Sequence, residues 1–364
     1  MTTPTGSAPA PPPPDADDRE VSAEQLSLVR RLRQPRTIAS LVVPIVVLVL
    51  VLINLPGFKL DRLPGLIARA NPVLFGAAFV VFYLGFPLRG YRWARLLRGT
   101  GLQIGVRDAT EIIFLSWLVN CLVPAKLGDL YRAWLLKLNS PVSMSRTVGT
   151  VFIERILDLF AISILGLAAG FWSFRNGLPT EIQVVFGIAV GVVILLAVAL
   201  LTLRNFGRRI LVRLPVPHRM LEYYDRFEEG VFGAIGLRGL PPLIIVTGLI
   251  WMTEAMRLYL VVEALGLPGV QLGISGAVFV ALIGSLLTAV PLSPAGLGIV
   301  EAGVVGVLSG AYGVPVTEAT TIALVDRVIS VLSVIVLGSI AYALSSKRRG
   351  GGLSTPVAEP SPTT

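Results

Sequence analysis

Apolar stretches of about 20 residues recur along the chain and are separated by short polar segments. A helix of that length crosses a hydrocarbon core of roughly 30 Å. The uninterrupted stretches cover about residues 38–55, 71–88, 148–171, 182–203, 240–262 and 316–343. This pattern predicts an all-α polytopic membrane protein.

Two further apolar segments, about 109–138 and 273–312, are interrupted by Pro and Gly. The first break is Pro-Ala-Lys-Leu-Gly at 124–128, and the second runs from Pro291 to Gly298. Pro and Gly end or kink helices there and free backbone groups that lipid cannot satisfy, so protein or water must cover them. We therefore predict two broken or re-entrant hairpins and about six to eight spans in all.

The two breaks belong to a longer repetition. Residues 122–128 resemble residues 292–298, and about thirty residues later Glu154-Arg155 and Asp326-Arg327 each open an apolar run. The halves would be about 38–171 and 182–343, the first starting inside and the second outside, as in the inverted repeats of many transporters. Chance similarity between segments rich in Leu, Ala and Gly is the alternative.

The composition excludes an ordinary soluble protein. Apolar residues make up 54% and charged residues 15% of the 364 residues, whereas a soluble domain is about a quarter charged. The net charge of +9 does not indicate nucleic-acid binding, because the basic residues lie between the apolar runs, where they orient the chain in a bilayer.

The basic residues predict a cell-membrane protein with both termini in the cytoplasm. The predicted cytoplasmic side carries 24 of the 31, in the N-terminal tail, 88–108, 126–146, 203–239 and 347–349, and the other side carries Lys59, Arg62, Arg69 and Arg175. The 109–138 segment then has cytoplasmic flanks at both ends, so it must enter and return. The 273–312 segment either re-enters from outside or crosses twice.

The polar ends are predicted to be disordered cytoplasmic tails, residues 1–36 and 346–364, around a transmembrane domain of residues 37–345. The single cysteine, Cys121, excludes an intrachain disulfide, and the one histidine, His218, lies in a predicted polar loop. These counts predict no metal site, no cofactor and no His-based catalytic triad.

Three basic residues lie within predicted spans: Arg155, Arg257 and Arg327. A charge near the bilayer centre costs roughly 2.5–3.5 kcal/mol, so such residues face a polar interior and pair. The i,i+3 spacing predicts pairs within one helix for Arg155 with Asp158 and for Glu254 with Arg257. Arg327 is expected to meet a partner on another helix.

These charges admit two interpretations. They are structural links between helices, or the arginines grip an anionic headgroup, since the guanidinium fork suits phosphate. Buried charges and freed backbone groups both need a polar interior. We therefore predict that the two breaks face one cavity near the midplane, lined by Arg155, Asp158, Glu301 and Arg327.

Three motifs carry a family resemblance. They are Pro124 to Asp129 with Arg132-Ala133, Glu154-Arg155-Ile156-Leu157-Asp158, and Pro294 to Gly298 with Glu301-Ala302. Together they resemble the lysylphosphatidylglycerol synthase transmembrane (flippase-like) family over roughly residues 38–345. The resemblance implies movement of lipids between leaflets. Members fused to a soluble aminoacyl-transferase domain also modify phospholipids, and we expect no aminoacylation because 364 residues leave no room for that domain.

We therefore predict translocation of an anionic lipid, either a phospholipid or a polyprenyl-phosphate-linked substrate, with no nucleic-acid partner and no catalytic residues. A membrane glycosyltransferase or lipid transferase, and a non-catalytic scaffold for a lipid-modifying enzyme, are the alternatives. The identity of the lipid and the oligomeric state stay open. The candidate substrate-binding residues are Asp129, Arg132, Glu154, Arg155, Asp158, Glu254, Arg257, Glu301, Asp326 and Arg327.

Overall fold

A computed structural model describes residues 59–123, 126–175, 218–234, 239–288 and 293–354, with Val46 and scattered positions between 177 and 213. The predicted span 38–55 lies outside the described residues except for Val46, and 182–203 is described only at isolated positions. The predicted N-terminal tail and the last ten residues also lie outside them.

Every regular element in the described part of the chain is helical, which confirms the predicted all-α class. The α-helices, numbered in chain order, are α1 (Leu63–Ala68), α2 (Pro72–Gly99), α3 (Val106–Leu122), α4 (Leu127–Asn139), α5 (Met144–Ser173), α6 (His218–Gly233), α7 (Leu240–Leu265), α8 (Gly273–Thr288), α9 (Ile299–Tyr312), α10 (Val316–Arg327) and α11 (Ser333–Leu344). A π-helical turn, Val328–Leu332, joins α10 to α11.

Four helical stretches are long and apolar enough to cross a membrane: Pro72–Gly99, Leu240–Leu265, Pro294–Tyr312 and Val316–Leu344. The 30 residues of α5 extend about 45 Å, enough for a bilayer core, although that helix carries buried charges. These helices confirm a polytopic membrane protein.

The second predicted span is longer than expected. It was predicted to end at residue 88, with Arg89 and Arg92 in a cytoplasmic segment, but α2 continues to Gly99 and buries both side chains. Their guanidinium groups pair with carboxylates 165 and 66 residues away in sequence. Hydropathy could not reveal these partners, because it scores each charged residue alone and takes no account of an ion pair with a distant residue.

The predicted polar loop of residues 203–239 contains a helix, α6, which packs along α5. The two helices meet where Gly149 faces Gly230, and a Cβ on Gly149 would lie only 2.3 Å from the carbonyl oxygen of Phe227. Phe227 and Val231, four residues apart, pack in the same small apolar cluster. The four-residue spacing of Phe227 and Val231 is typical of one helix face, but the polar composition of residues 203–239 led to the prediction of a loop.

The two broken segments form helical hairpins, α3 with α4 and α8 with α9. The first hairpin ends at Asn139, next to the start of α5 at Met144. The second ends at Tyr312, whose hydroxyl lies 2.9 Å from Oγ of Ser173, the last residue of α5. The hairpins therefore open toward opposite ends of α5.

Residues that follow α11 pack against the first hairpin. Lys347 is buried, and its Nζ lies 2.9 Å from Asp108 and 2.8 Å from Glu111 at the start of α3. Asn139, the last residue of α4, donates to the Lys347 carbonyl oxygen at 2.7 Å. Both ends of the hairpin therefore meet one short segment, which the sequence assigned to a disordered tail from residue 346.

Candidate functional site

Both breaks contain a strained backbone. Lys126 and Ala295 each have φ of 51°, and they are the two residues other than glycine with positive φ among the described positions. This left-handed conformation costs roughly 1–2 kcal/mol for a residue with a Cβ. Such strain clusters at functional sites and persists where surrounding contacts enforce it.

Local hydrogen bonds hold the helix that follows each break. At the start of α9, the Gly298 amide donates to Glu301 Oε2 at 2.6 Å, which satisfies a free helical N–H group. At the start of α4, the Gly128 amide donates to Asn120 Oδ1 at 2.8 Å. Gly128 is required there, because a Cβ would lie 2.0 Å from the Ser116 carbonyl oxygen.

In the first half, Arg155 joins α5 to the helix that follows the break. Its guanidinium donates from Nε to Asp129 Oδ2 at 2.9 Å and from Nη2 to Asp129 Oδ1 at 2.6 Å. Nη1 lies 3.5 Å from Asp158, which confirms the predicted i,i+3 pair. Asp129 and Arg155 therefore form a forked ion pair beside the first break.

Two other arginines, both almost completely buried, pair with the acidic residues of α5. Arg92 of α2 donates to both oxygens of Asp158, at 2.6 and 3.1 Å, and lies 3.3 Å from Glu154. Arg132 of α4 donates to Glu154 at 3.2 Å. Only 1% of the Arg92 side chain and 2% of the Arg132 side chain are exposed, so both lie out of reach of a ligand.

The second half contains a similar set on α7 and α10. Arg257 forms a fork with Asp326, at 2.7 and 3.0 Å, and pairs with Glu254 on its own helix as the i,i+3 spacing predicted. Arg89 of α2 donates to the other oxygen of Glu254 at 2.6 Å. The guanidinium carbon of Arg89 lies 4.6 Å from the centre of the Trp117 ring, a distance typical of cation–π contacts.

The last pair completes a correspondence between the halves. Arg327 lies 2.7 Å from Glu301, the third residue of α9, just as Arg155 meets Asp129, the third residue of α4. The prediction that Arg327 finds a partner on another helix is thereby confirmed, and Glu301, which had no basic neighbour in sequence, gains one in space.

The acidic residues directly before Arg155 and Arg327 also correspond between the two halves. Glu154 pairs with Arg92 on α2, and Asp326 pairs with Arg257 on α7, the long helix that precedes the hairpin in each half. These matching contacts support the predicted internal repeat more strongly than similarity between apolar segments does, because ion pairs between helices do not follow from composition.

A cavity of about 170 Å³ lies between the two breaks. The first break contributes Lys126 to its wall, and the second contributes Ser293, Ala295 and Gly296. The prediction that the breaks face one cavity therefore agrees with the geometry. The charged residues in the wall are Lys126, Arg155, Glu254, Arg257, Asp326 and Arg327.

The predicted lining was partly wrong. Arg155 and Arg327 line the cavity, but Asp158 and Glu301 do not. Both carboxylates are buried behind the wall, where Asp158 binds Arg92 and Glu301 caps its own helix while it pairs with Arg327. Of the arginine side chains in the network, Arg155 is the most accessible, with 33% of its side chain exposed.

Arg89 and Arg92 were missed as members of this network, and one feature of the sequence pointed to them. They are three residues apart on one helix face, and they follow the apolar and aromatic run of residues 72–88 directly, ahead of Arg95 and Arg98. Their partners lie on α5 and α7, so the pairing itself could not be derived from spacing. No three His, Cys, Asp or Glu side chains cluster as metal ligands in the described ranges.

Comparison with known proteins identifies the family of this chain. Residues 37–338 match the lysylphosphatidylglycerol synthase transmembrane region. A UPF0104 membrane protein of Methanocaldococcus jannaschii is 37% identical over 62% of this chain and 92% of its own length. A UPF0104 membrane protein of Methanothermobacter thermautotrophicus is 28% identical over 77% of this chain and 86% of its own.

A further relative, the glycosyltransferase AglD of Haloferax volcanii, is 27% identical over 76% of this chain, and the match covers 49% of AglD. The family match spans most of the chain and includes both breaks and the residues of the ion-pair network. The protein belongs to the family of the lysylphosphatidylglycerol synthase transmembrane region.

Proposed function

We propose that this protein moves the headgroup of an anionic lipid between the leaflets through the cavity between the two breaks. The observation that carries the proposal is the convergence of cationic side chains from both halves on one cavity: Lys126 and Arg155 from the first, Arg257 and Arg327 from the second. Guanidinium and ammonium groups are the side chains that bind phosphate.

The ion-pair network supports this chemistry because it fixes the arginines in advance. Asp129 and Asp158 hold Arg155, and Asp326 and Glu254 hold Arg257, so little side-chain entropy remains to be lost when an anion binds. The partly exposed edge of Arg155 is then available to a phosphate oxygen. A headgroup in the cavity keeps its polar contacts while its tails stay in lipid.

The arrangement of the hairpins suits alternating access. One hairpin opens toward each end of α5, and the cavity lies where their breaks meet. Broken helices that meet at the midplane of an inverted repeat form the substrate site in many transporters. In this proposal both hairpins are re-entrant, the first from the cytoplasm and the second from outside, and small movements of one half against the other expose the cavity to each side in turn.

We further propose the cell membrane as the location, with both termini in the cytoplasm. Of the residues counted as cytoplasmic, Arg89, Arg92, Arg132 and Lys347 are buried and carry no information on orientation. The excess persists without them, since the outer side has only Lys59, Arg62, Arg69 and Arg175.

Transport in liposomes tests the function. The full-length protein is reconstituted with traces of lipids that carry a fluorescent label on an acyl chain. Dithionite added outside the vesicles bleaches the label in the outer leaflet, so the loss of fluorescence reports the fraction of labelled lipid there. We expect at least one anionic lipid, a phospholipid or a polyprenyl-phosphate-linked sugar, to exchange faster than in protein-free vesicles. Arg155→Gln should slow that exchange about tenfold or more, as expected for the loss of a charge contact with the headgroup phosphate.

Arg175→Gln is the matched control, because that arginine is exposed beyond the end of α5 and should leave exchange unchanged. Equal exchange with and without protein for every anionic lipid would overturn the proposal. A covalently altered lipid in the same vesicles would instead support a transferase, the activity in the name of AglD.

A further inference from the structure

The charges of the intramembrane network balance, with one exception. Six arginines (Arg89, Arg92, Arg132, Arg155, Arg257 and Arg327) are joined by ion pairs to six carboxylates (Asp129, Glu154, Asp158, Glu254, Glu301 and Asp326). The Lys126 ammonium lines the same cavity, and no carboxylate of the described residues lies within ion-pair distance of it. The site therefore carries one positive charge in excess.

The backbone holds this lysine in a strained conformation. Lys126 occupies the left-handed conformation at the residue before α4, where glycine would be the unstrained choice. The corresponding break in the second half has Gly296 at the matching place of its Pro-Ala-x-Leu-Gly motif, with φ of 70°. A lysine that is strained, partly buried and unpaired costs stability, so its presence points to a ligand.

Asn120 adds a donor beside Lys126. Its side-chain oxygen accepts from the Gly128 amide at 2.8 Å, which fixes the amide orientation and leaves the Asn120 nitrogen as a donor in the cavity wall. Lys126, Asn120 and the exposed edge of Arg155 thus form a positive, donor-rich wall on the side of the first half.

The second half contributes hydroxyl groups to the cavity wall in addition to Arg257 and Arg327. The hydroxyls of Ser285, Thr288, Ser293 and Ser330 line it, and each lies 2.8 to 3.0 Å from a backbone carbonyl oxygen. Because a carbonyl can only accept, each hydroxyl must donate its hydrogen to the backbone. The lone pairs that remain on these oxygens can accept hydrogen bonds from hydroxyl groups of a ligand, whereas an ionised phosphate oxygen has no hydrogen to donate to them.

We propose that Lys126 sets the ligand class: a phosphodiester with one negative charge whose headgroup carries hydroxyl groups. The phosphate lies against Lys126 and Asn120, and the headgroup hydroxyls donate to the serine and threonine oxygens. A ligand with one negative charge neutralises the excess positive charge of the site. A second negative charge on the ligand would remain uncompensated at low dielectric, and a zwitterion, which has no net charge, would leave the excess positive charge in place. This inference rests on the proposed function for the lipid nature of the ligand.

Binding to the delipidated full-length protein, measured by native mass spectrometry, tests it without transport. Three diesters with the same acyl chains separate charge from hydroxyls: phosphatidylglycerol, phosphatidylethanol, which lacks the hydroxyls, and phosphatidylcholine, which is zwitterionic. A polyprenyl phosphate hexose is the fourth diester. Water-soluble glycerophosphoglycerol serves as the free-phosphodiester arm. A polyprenyl pyrophosphate hexose supplies the second charge.

We expect a hydroxylated monoanionic diester, phosphatidylglycerol or the polyprenyl phosphate hexose, to bind about tenfold more tightly than phosphatidylcholine and a few-fold more tightly than phosphatidylethanol. Lys126→Gln should reduce the first preference to about twofold or less, and Lys126→Arg should retain it. The control Lys59→Gln alters a lysine on the exposed surface and should change neither. The Tm of Lys126→Gln should equal or exceed that of the wild type, because no ion pair is lost and an unpaired, partly buried charge is removed.

An unchanged preference in Lys126→Gln overturns the inference, and so does tighter binding of phosphatidylcholine or of the pyrophosphate. Binding of glycerophosphoglycerol as tight as that of phosphatidylglycerol would assign the site to a soluble diester and remove its lipid part. The proposed function fails separately, if the lipid binds as expected but does not exchange in liposomes. Exchange with normal selectivity in Lys126→Gln vesicles would leave the function and remove the inference.

Discussion

Arg155 donates two hydrogen bonds to Asp129, at 2.9 and 2.6 Å, so the middle of α5 is tied to the first turn of the helix that follows the break. A third of the Arg155 side chain remains exposed, whereas Arg92, which binds the same helix from behind, is 1% exposed. Two arginines that bind one acidic cluster therefore have different environments, and substituting them should have different effects on stability.

Arg92→Gln should mainly destabilise the fold, because it leaves Asp158 buried without its forked partner. The expected loss is about 3–5 kcal/mol, the usual consequence of removing one partner of a buried pair. Arg155→Gln should cost less, about 1–2 kcal/mol, since solvent in the cavity screens Asp129. Unfolding in detergent, followed by tryptophan fluorescence, measures both. Equal losses, or a greater loss for Arg155→Gln, would contradict the distinction.

Glu301 performs two tasks that two substitutions can separate. It pairs with Arg327 and accepts from the Gly298 amide at the start of α9. Glu301→Gln removes the charge but keeps an oxygen that can accept from Gly298, whereas Glu301→Ala removes both. We expect Ala to lower the free energy of unfolding by about 0.5–2 kcal/mol more than Gln, the usual contribution of a helix cap. Identical losses would mean that the capping bond contributes nothing.

The sequence predicted the helices well because hydropathy and breakers act locally. The hairpin predicted at 109–138 contains α3 and α4, and the break at 124–128 separates them. The pairs Arg155 with Asp158 and Glu254 with Arg257 were accessible because i,i+3 spacing is fixed by helix geometry.

What escaped prediction depends on contacts between distant helices. Arg89 and Arg92 were assigned to a loop because a charge ends a hydrophobic stretch by any hydropathy measure, and their partners lie on helices after the first break. Lys126 was counted only as a cytoplasmic charge. Its position in the cavity wall follows from the left-handed turn that begins α4, which the sequence does not specify for lysine.

Gly128 offers a test of how tightly the first break is packed. An added Cβ would lie 2.0 Å from the Ser116 carbonyl oxygen and 2.6 Å from Asn120 Oδ1, so α3 and α4 would have to separate. Gly128→Ala should lower the free energy of unfolding by about 1–3 kcal/mol or more through overpacking. Gly306, within α9, has no atom within 4 Å of the added carbon.

Gly306→Ala is therefore the control and should be neutral or stabilising by up to about 1 kcal/mol, because alanine favours the helix. Thermal unfolding of both variants in the same detergent is the measurement. Equal Tm values for Gly128→Ala and the wild type would show that the two helices are not in close contact at this point.

The ends of α5 give a direct test of orientation. Pro141 lies just before this helix and Arg175 just after it, and both are exposed. Single cysteines are introduced at these positions in a Cys121→Ala background. In intact cells, a membrane-impermeant maleimide should label Arg175→Cys, and Pro141→Cys only after permeabilisation. Labelling of both from one side would show that α5 does not cross, and the reverse pattern would invert the proposed orientation.

The final prediction concerns the segment after α11. Lys347 binds Asp108 and Glu111, and the Ser354 amide donates to Asp108 Oδ2 at 3.0 Å, so two carboxylates of α3 hold residues 347–354. Burial alone would lower the pKa of Lys347, but the hydrogen bonds to Glu111 and Asp108 outweigh it and raise the pKa above 10.5. The folded state therefore favours the ammonium form.

This contribution to stability is complete below the ordinary lysine pKa and is lost as the pH rises through the higher folded value. The rate of tryptic cleavage within residues 347–349 should thus stay constant between about pH 7 and 9, once corrected for protease activity. Asp108→Asn/Glu111→Gln should accelerate that cleavage about tenfold or more at pH 7, because local opening then costs less. Asp61→Asn, an exposed acid far from this segment in sequence, should not. Cleavage of the double variant at the wild-type rate would mean that the carboxylates do not hold the segment, and its docking would then depend on other contacts, among them those of Asn139 and Leu353.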